Sequence, residues 1–471
     1  MNLHQSRNYL DRLWDELAIP TLEDYIRIPA KSPSFDRDWE ANGYLVSAAE
    51  LLRSQVDRHG IVGATHRLAP ADGQPPVIVV AVPAFGDARG NVLMYGHYDK
   101  QPEFEGWHEG CGPWTPVRKG ELLYGRGGGD DGYAIFSALS SIGVLQDQQI
   151  PHPRCLILIE GTEESGSYNL PMYMDMLADE IGEPDLLVCL DAEAGNYDQL
   201  WRTTSLRGII VGQLTVRVLE EGVHSGIAGG IVPSSFRIAR NVLDRLENST
   251  SGQMADCLRV QIPPTVRHQA AKTAACLGQG VIERYPWAGE TRPASSDPVQ
   301  LLLSNSWEPS LATTGFEGAP SMDSAGNTLR PQTQLKLSIR TPPTLDAARA
   351  AQSIKQLLER EAPQDADVRF DIEAAEPGWR AKEMSTWHAK CLDSASRAWF
   401  GETLQEIGCG GTIPFMNMLG TRFPDCEVLA TGVLGPHSNA HGPNEFLNID
   451  TAKKVTGCVS ELLRQATQHV G

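Results

Sequence analysis

The 471-residue sequence predicts an α/β protein with a smaller α+β unit set into it. Three observations carry that prediction. Up to about residue 206, short and almost uninterrupted apolar runs alternate with helical stretches, the pattern of a sheet covered on both faces. Between 207 and 382 the strands instead alternate apolar and polar residues, as in a sheet wet on one side. From 383 to 471 the first texture returns. The expected division is therefore a first part of the α/β unit over 1–206, an insert over 207–382 and a second part of the α/β unit over 383–471.

The elements follow in order. Leu10, Leu13, Trp14, Leu17, Leu22, Tyr25 and Ile26 recur at three and four, so a helix is expected over 8–28. A second spans 42–59 and stops at Gly60. Apolar strands are expected at 76–82, 91–95, 155–160 and 185–190, with helices at 133–148 and 170–181 between them. In the insert, 209–219 alternates, 233–246 is an amphipathic helix opening on Pro233, and 248–300 reads as a looser stretch. The sequence then gives a strand at 333–339, a helix at 345–361 and a strand at 368–372, an order that suggests a ferredoxin-like unit. A buried strand at 426–431 and a helix at 450–469 close the chain.

Composition narrows the function classes. A net charge of −19 argues against nucleic acid or an anionic membrane as partner. Nine cysteines stand singly with no CxxC pair, which reads as a reduced, cytosolic chain. No apolar h-region opens the sequence, and no uncharged apolar run reaches about 18 residues. The expectation is a cytoplasmic protein with no membrane segment.

Acids and histidines gather where apolar strands end, the place where α/β sheets collect ligands. In Gly96-His97-Tyr98-Asp99 the histidine and the aspartate are two apart, so on extended backbone they share a face. A carboxylate beside a metal-binding histidine fixes its tautomer. The loop Gly125-Arg126-Gly127-Gly128-Gly129-Asp130-Asp131 opens a helix but has no P-loop lysine. Its adjacent carboxylates repel phosphate and attract cations, whereas helix capping accounts for only one aspartate. In Glu160-Gly161-Thr162-Glu163-Glu164, one glutamate of the adjacent pair is free to bind metal while the other moves protons. Asp191 ends a further strand. His97, Asp130, Glu164 and Asp191 are thus candidate ligands, and two ions sharing a carboxylate need one more, offered by His437 or His441.

These segments, GHYDKQP, LYGRGGGDD, EGTEESGS, Asp191, VHSGIAGG, SIRTPP, GGTIPF and HGPNEFL, occur in the order seen in carnosinase-like metallopeptidases. The sequence resembles that group over about residues 8–465, within the wider family of glutamate carboxypeptidase, acetylornithine deacetylase, succinyl-diaminopimelate desuccinylase and aminoacylase. The resemblance implies a mixed-sheet, di-zinc aminopeptidase-like catalytic domain with an inserted ferredoxin-like lid and dimerisation domain. It implies that Asp130 bridges two divalent metals, that His97 and Asp191 complete one site, and that Glu164 and His441 complete the other. Asp99 would orient His97, and Glu163 would be the general base. His224 of HSG would reach across a homodimer to the partner's site. Arg340 would bind the substrate carboxylate, with Gly411 and Thr412 at the same end. One departure stands out: Gly132 and Tyr133 replace the family's usual Lys-Gly after the aspartates.

The expected activity is hydrolysis of dipeptides or short peptides bearing a free carboxylate, with zinc, or alternatively manganese or cobalt, as the metal. The alternative on the same centre is an N-acyl-amino-acid deacylase. A metal-storage protein would not need Glu163, and the absence of GxSxG argues against a serine hydrolase.

Overall fold

The apolar strands assemble into one mixed six-stranded sheet. The computed structural model describes residues 1–469 and orders that sheet Thr65–Ala71, Gln74–Val82, Arg154–Glu160, Asn91–His97, Leu186–Cys189, Glu427–Ala430. The first three strands pair antiparallel and the rest parallel. The uninterrupted apolar runs have a direct cause: both faces are buried. Val92, Met94, Ile157 and Ile159 point into one core, beneath the helices Ala134–Asp147 and Ile449–Ala466. Leu93, Tyr95, Leu156 and Leu158 point into the other, with Leu170–Met176 and Pro414–Arg422. Each of these side chains is worth about 1.5–3 kcal/mol when fully buried.

A second sheet, ordered Ser310–Glu317, Gln332–Thr341, Gly208–Arg217, Asp367–Glu376, is antiparallel throughout. With the helices Ser235–Leu243 and Ala347–Glu359 it makes a βαββαβ order in sequence. Gly208–Arg217 alternates buried and half-buried residues along its whole length, because the two helices cover only one face, where Ile210, Leu214, Leu337 and Phe370 are buried.

The structure corrects the reading of 248–300 as a loose stretch. It contains the helix Pro264–Leu277 and the start of Pro298–Ser306, followed by the edge strand Ser310–Glu317. The first helix escaped notice because its apolar positions are largely small alanines, which draw no stripe of large side chains. The strand escaped notice because an edge strand, largely in water, needs no apolar alternation. Ile262, Ala270, Leu303 and Trp307 form a small separate core there. Thr273 and Gln269 bond to Glu406 and Thr204 of a third sheet, Trp379–Arg380, Trp201–Leu206, Gln405–Cys409.

One buried histidine sets an expected pH response. His59 is 6% exposed; its Nδ1 donates to the Gln55 carbonyl at 2.8 Å, and its Nε2 has no hydrogen-bond partner among the described residues. Burial pushes its pKa down to about 4. The unfolded imidazole takes up protons below about 6.5, where the folded one does not. Stability is therefore lost as pH falls from the unfolded value towards the folded one, by about 2 kcal/mol between pH 7 and pH 5. Urea unfolding of a His59→Gln variant at the two pH values checks this: the variant's loss should be smaller by that amount, and equal losses contradict it.

Candidate metal centre and substrate cavity

The strand ends converge because parallel neighbours finish together. His97 ends its strand directly beside Glu160, and Tyr95 lies opposite Cys189, two residues before Asp191. The turn after Cys189 thus carries Asp191 to His97. The glycine loop enters from below. Gly132 packs there so closely that a Cβ would lie 2.4 Å from the Tyr25 ring, so the residue following the aspartates has to be glycine. Tyr133 is fully buried and its hydroxyl donates to the Leu190 carbonyl. The departure from Lys-Gly is therefore absorbed into the core at the start of the helix.

Asp130 stands at the centre. Its Oδ1 lies 3.2 Å from His97 Nε2 and its Oδ2 lies 3.0 Å from His441 Nε2. Asp191 Oδ2 lies 4.0 Å from His97 Nε2, and Glu164 Oε2 lies 3.3 Å from His441 Nε2. Two groups of possible metal donors result, His97–Asp130–Asp191 and Asp130–Glu164–His441, sharing Asp130. On the far side of His97, Nδ1 donates to the Asp99 carbonyl at 3.1 Å and lies 3.4 Å from Asp99 Oδ1. The Asp99 carboxylate also accepts the backbone N–H groups of Glu163 and Glu164, at 3.1 and 3.0 Å.

The donor chemistry fits divalent cations. Burial, reinforced by the charge of Asp130, raises Glu164 to about 8; burial, partly opposed by His97 and aided by Asp130, raises Asp191 to about 6. Burial and Asp191 push Glu163 up as well. Burial acts on Asp130 in the same direction, but hydrogen bonds from His441 and His97 outweigh it and hold that carboxyl well below its usual range. Buried carboxylates crowded against imidazole nitrogens are the donor set that mixed N,O-ligated metals take.

The two glutamates differ. Glu164 Oε2 accepts from Gln101 at 2.5 Å as well as facing His441. Among the described residues no hydrogen bond takes up the Glu163 carboxylate, which lines the cavity. That cavity, about 1100 Å³, also reaches Asp130, Asp191, His441, Arg340, Gly411 and Thr412. Arg340 donates to Thr412 Oγ1 at 2.7 Å, and Thr412 donates to the Arg207 carbonyl at 2.5 Å, which ties Gln332–Thr341 to the loop after Gln405–Cys409. His224, expected to reach a partner's cavity, is exposed on the short bridge with Thr328 and lies outside the lining of this chain's cavity, and His437 falls in neither donor group. A second cavity, about 530 Å³, lies against the third sheet, and neither donor group lines it. Its buried cation, Arg202, is already paired with Glu406.

Two supporting residues, Arg126 and Glu445, join segments far apart in the chain. Glu445 is fully buried; it accepts from Arg126 Nη1 at 2.5 Å and from the Gly127 N–H at 2.8 Å, while Arg126 also donates to the Gly442 carbonyl at 2.7 Å. The pair straps the segment carrying His441 to the loop carrying Asp130. An arginine inside a glycine run and a glutamate inside HGPNEF were visible, but nothing in the sequence joined them.

A mixed sheet whose strand ends present two donor groups sharing one aspartate defines a metallohydrolase architecture. The profile of peptidase family M20/M25/M40 matches residues 93–465, and the chain belongs to that family. Among its relatives is the cysteinylglycine-S-conjugate dipeptidase of Corynebacterium striatum, 26% identical over 443 residues, covering 91% of this chain and 90% of that one. The Beta-Ala-His dipeptidase of Homo sapiens is 24% identical over 93% of this chain and 88% of its own. The fold is that of the solved dipeptidase Dug1p from Saccharomyces cerevisiae (TM-score 0.79, 20% identity, 99% of both chains) and of human carnosine dipeptidase 1 (0.79, 19%, 99% of both).

Proposed function

We propose that this chain is a metal-dependent dipeptidase acting on dipeptides or short peptides with a free C-terminal carboxylate. The observation that carries the reading is the shared Asp130, flanked by two histidine–carboxylate donor groups and opening on a cavity with a cationic far end. The dipeptidase relatives support the substrate class. His97, Asp130 and Asp191 would hold one divalent cation and Asp130, Glu164 and His441 the second, with zinc the metal best suited to these ligands. Bound there, the cations supply Lewis acidity to water and to the scissile carbonyl. Glu163, whose carboxylate takes no hydrogen bond among the described residues, accepts the proton from water and passes it to the departing amine. Asp99 keeps the His97 ring oriented and fixes the turn that presents Glu163. Arg340 takes the substrate carboxylate by charge-assisted hydrogen bonds; Thr412, whose own proton goes to the Arg207 carbonyl, holds the guanidinium at that end, with the Gly411 backbone beside them.

The insert 207–382 would act as lid and dimerisation unit between the catalytic stretches 1–206 and 383–471. Ile227, Ile231 and Met322 are 77%, 83% and 94% exposed, and Phe236 meets Phe316 beside the edge strand. Such apolar exposure suits a second copy of the chain, from which His224 would enter the neighbouring cavity. Sedimentation equilibrium tests it: a fully active monomer would sink the cross-subunit role. Nine free cysteines fit a reducing, cytoplasmic setting, and no helix among the described residues is long and apolar enough to cross a membrane.

Zinc titration of the chelated protein tests the metal reading. Two ions should bind per chain, and Asp130→Ala, which removes the donor common to both groups, should abolish binding at both. An Asp130→Ala protein that still took up two ions would contradict the shared site.

A further inference from the structure

The first acid of EGTEE has no part in the scheme above. Glu160 is fully buried, ends its strand beside His97 and does not line the cavity, so it is not placed to touch substrate. Three hydroxyls nonetheless converge on it. Tyr95 Oη and Ser167 Oγ donate to Oε1 at 2.6 and 2.8 Å, and Thr162 Oγ1, which also meets the Asn169 side-chain amide, lies 2.9 Å from Oε2.

Two of those hydroxyls belong to the ends of one turn. The Ser167 N–H closes it on the Thr162 carbonyl at 2.8 Å, and between them stand Glu163 and Glu164. Ser167 sits at φ 51°, a left-handed conformation that costs a non-glycine residue about 1 kcal/mol or more. Its bond to Glu160 helps hold it there. Asp99 grips the same turn through the two intervening N–H groups.

We propose that Glu160 is a positioning residue, clamping both ends of the 162–167 turn so that Glu163 and Glu164 meet the cavity in one orientation. The proposal rests on the dipeptidase reading. Burial, and then the charge of Asp99, push the Glu160 carboxyl up to about 7, so it is a costly group to bury. An apolar residue would pack there without that cost, and what it could not do is receive Thr162 and Ser167 together.

The test compares Glu160→Gln, the double variant Thr162→Val/Ser167→Ala, and Tyr95→Phe in the zinc-loaded full chain. Steady-state kinetics on a dipeptide the parent cleaves are read together with zinc affinity by chelator competition. In Glu160→Gln, kcat should fall by about 10–100-fold and the weaker zinc site by a similar factor, with KM within about twofold. The Thr162→Val/Ser167→Ala protein should show the same loss, and adding Glu160→Gln to it should cost less than about twofold more, since all three act as one unit. Tyr95→Phe removes a bond to Glu160 without touching the turn and should leave kcat within about twofold. This last variant keeps the proposal falsifiable if Glu160→Gln folds poorly: a Tyr95→Phe loss as large as that of Thr162→Val/Ser167→Ala would make Glu160 a general packing residue. Parental kcat and zinc affinity in Glu160→Gln, or additive losses, would also overturn the clamp. Glu163→Gln is run beside them. If it is inactive while Glu160→Gln is parental, the clamp alone fails; if Glu163→Gln is itself parental, the base assignment falls and the clamp with it.

Discussion

Replacing Glu163 by Gln should lower kcat on a dipeptide by about 10²–10⁴-fold, the range for a positioned acid–base group. Zinc content should stay at the parental value. The contrast with Glu164 makes this a sharp expectation. Glu164 is bound to Gln101 and faces His441, whereas the Glu163 carboxylate faces the cavity without a hydrogen-bond partner among the described residues. Loss of Glu164 should therefore weaken zinc binding, and loss of Glu163 should leave the metal and stop the chemistry. Kinetics and metal analysis on the same samples separate the two. A Glu163→Gln protein with near-parental kcat would mean that another group carries the proton.

The second large effect concerns the strap behind the site. Glu445→Ala leaves the Arg126 guanidinium, 1% exposed, with carbonyl partners at Gly442 and Pro102 but no counter-charge, and strips the Gly127 N–H of its acceptor. Breaking a buried pair in this way costs about 3–5 kcal/mol, because the remaining charge stays uncompensated. Because the pair joins the Asp130 loop to the His441 segment, zinc affinity at the Asp130–Glu164–His441 group should fall too. Replacing both partners together, as Arg126→Met/Glu445→Leu, should destabilise less than Glu445→Ala. Urea unfolding of the three proteins checks the order, and a single variant within about 1 kcal/mol of the parent would contradict a structural role for the pair.

How far the sequence led depends on what each residue's role leaves in the local pattern. His97 and Asp99, two apart at a strand end, were readable because alternation on extended backbone is a local rule. The buried strands were readable because a run such as Val92–Tyr95 feeds both cores at once. Helix Pro264–Leu277 was not, since it buries only Ala270 and Thr273 and so draws no stripe of large apolar side chains. Arg126 and Glu445 lie 319 residues apart, and no periodicity links partners at that separation. Glu160 was in view as a letter of its motif, yet its hydroxyl partners include Tyr95 on the neighbouring strand, which only the sheet register reveals. His224 is the converse case: its motif was readable, and the fold of one chain leaves it exposed and outside that chain's own cavity, as a residue expected to reach a second copy would be.

The most direct test of the central claim is hydrolysis of a dipeptide panel by chelated protein reloaded with zinc, manganese or cobalt, with N-acetyl and N-succinyl amino acids assayed alongside. Without metal there should be no turnover; reloading should restore it, and dipeptides bearing a free carboxylate should be cleaved in preference to the acylated amino acids. Activity confined to the acylated amino acids would contradict the dipeptidase assignment while leaving the metal centre in place, and equal activity with and without metal would contradict the centre itself.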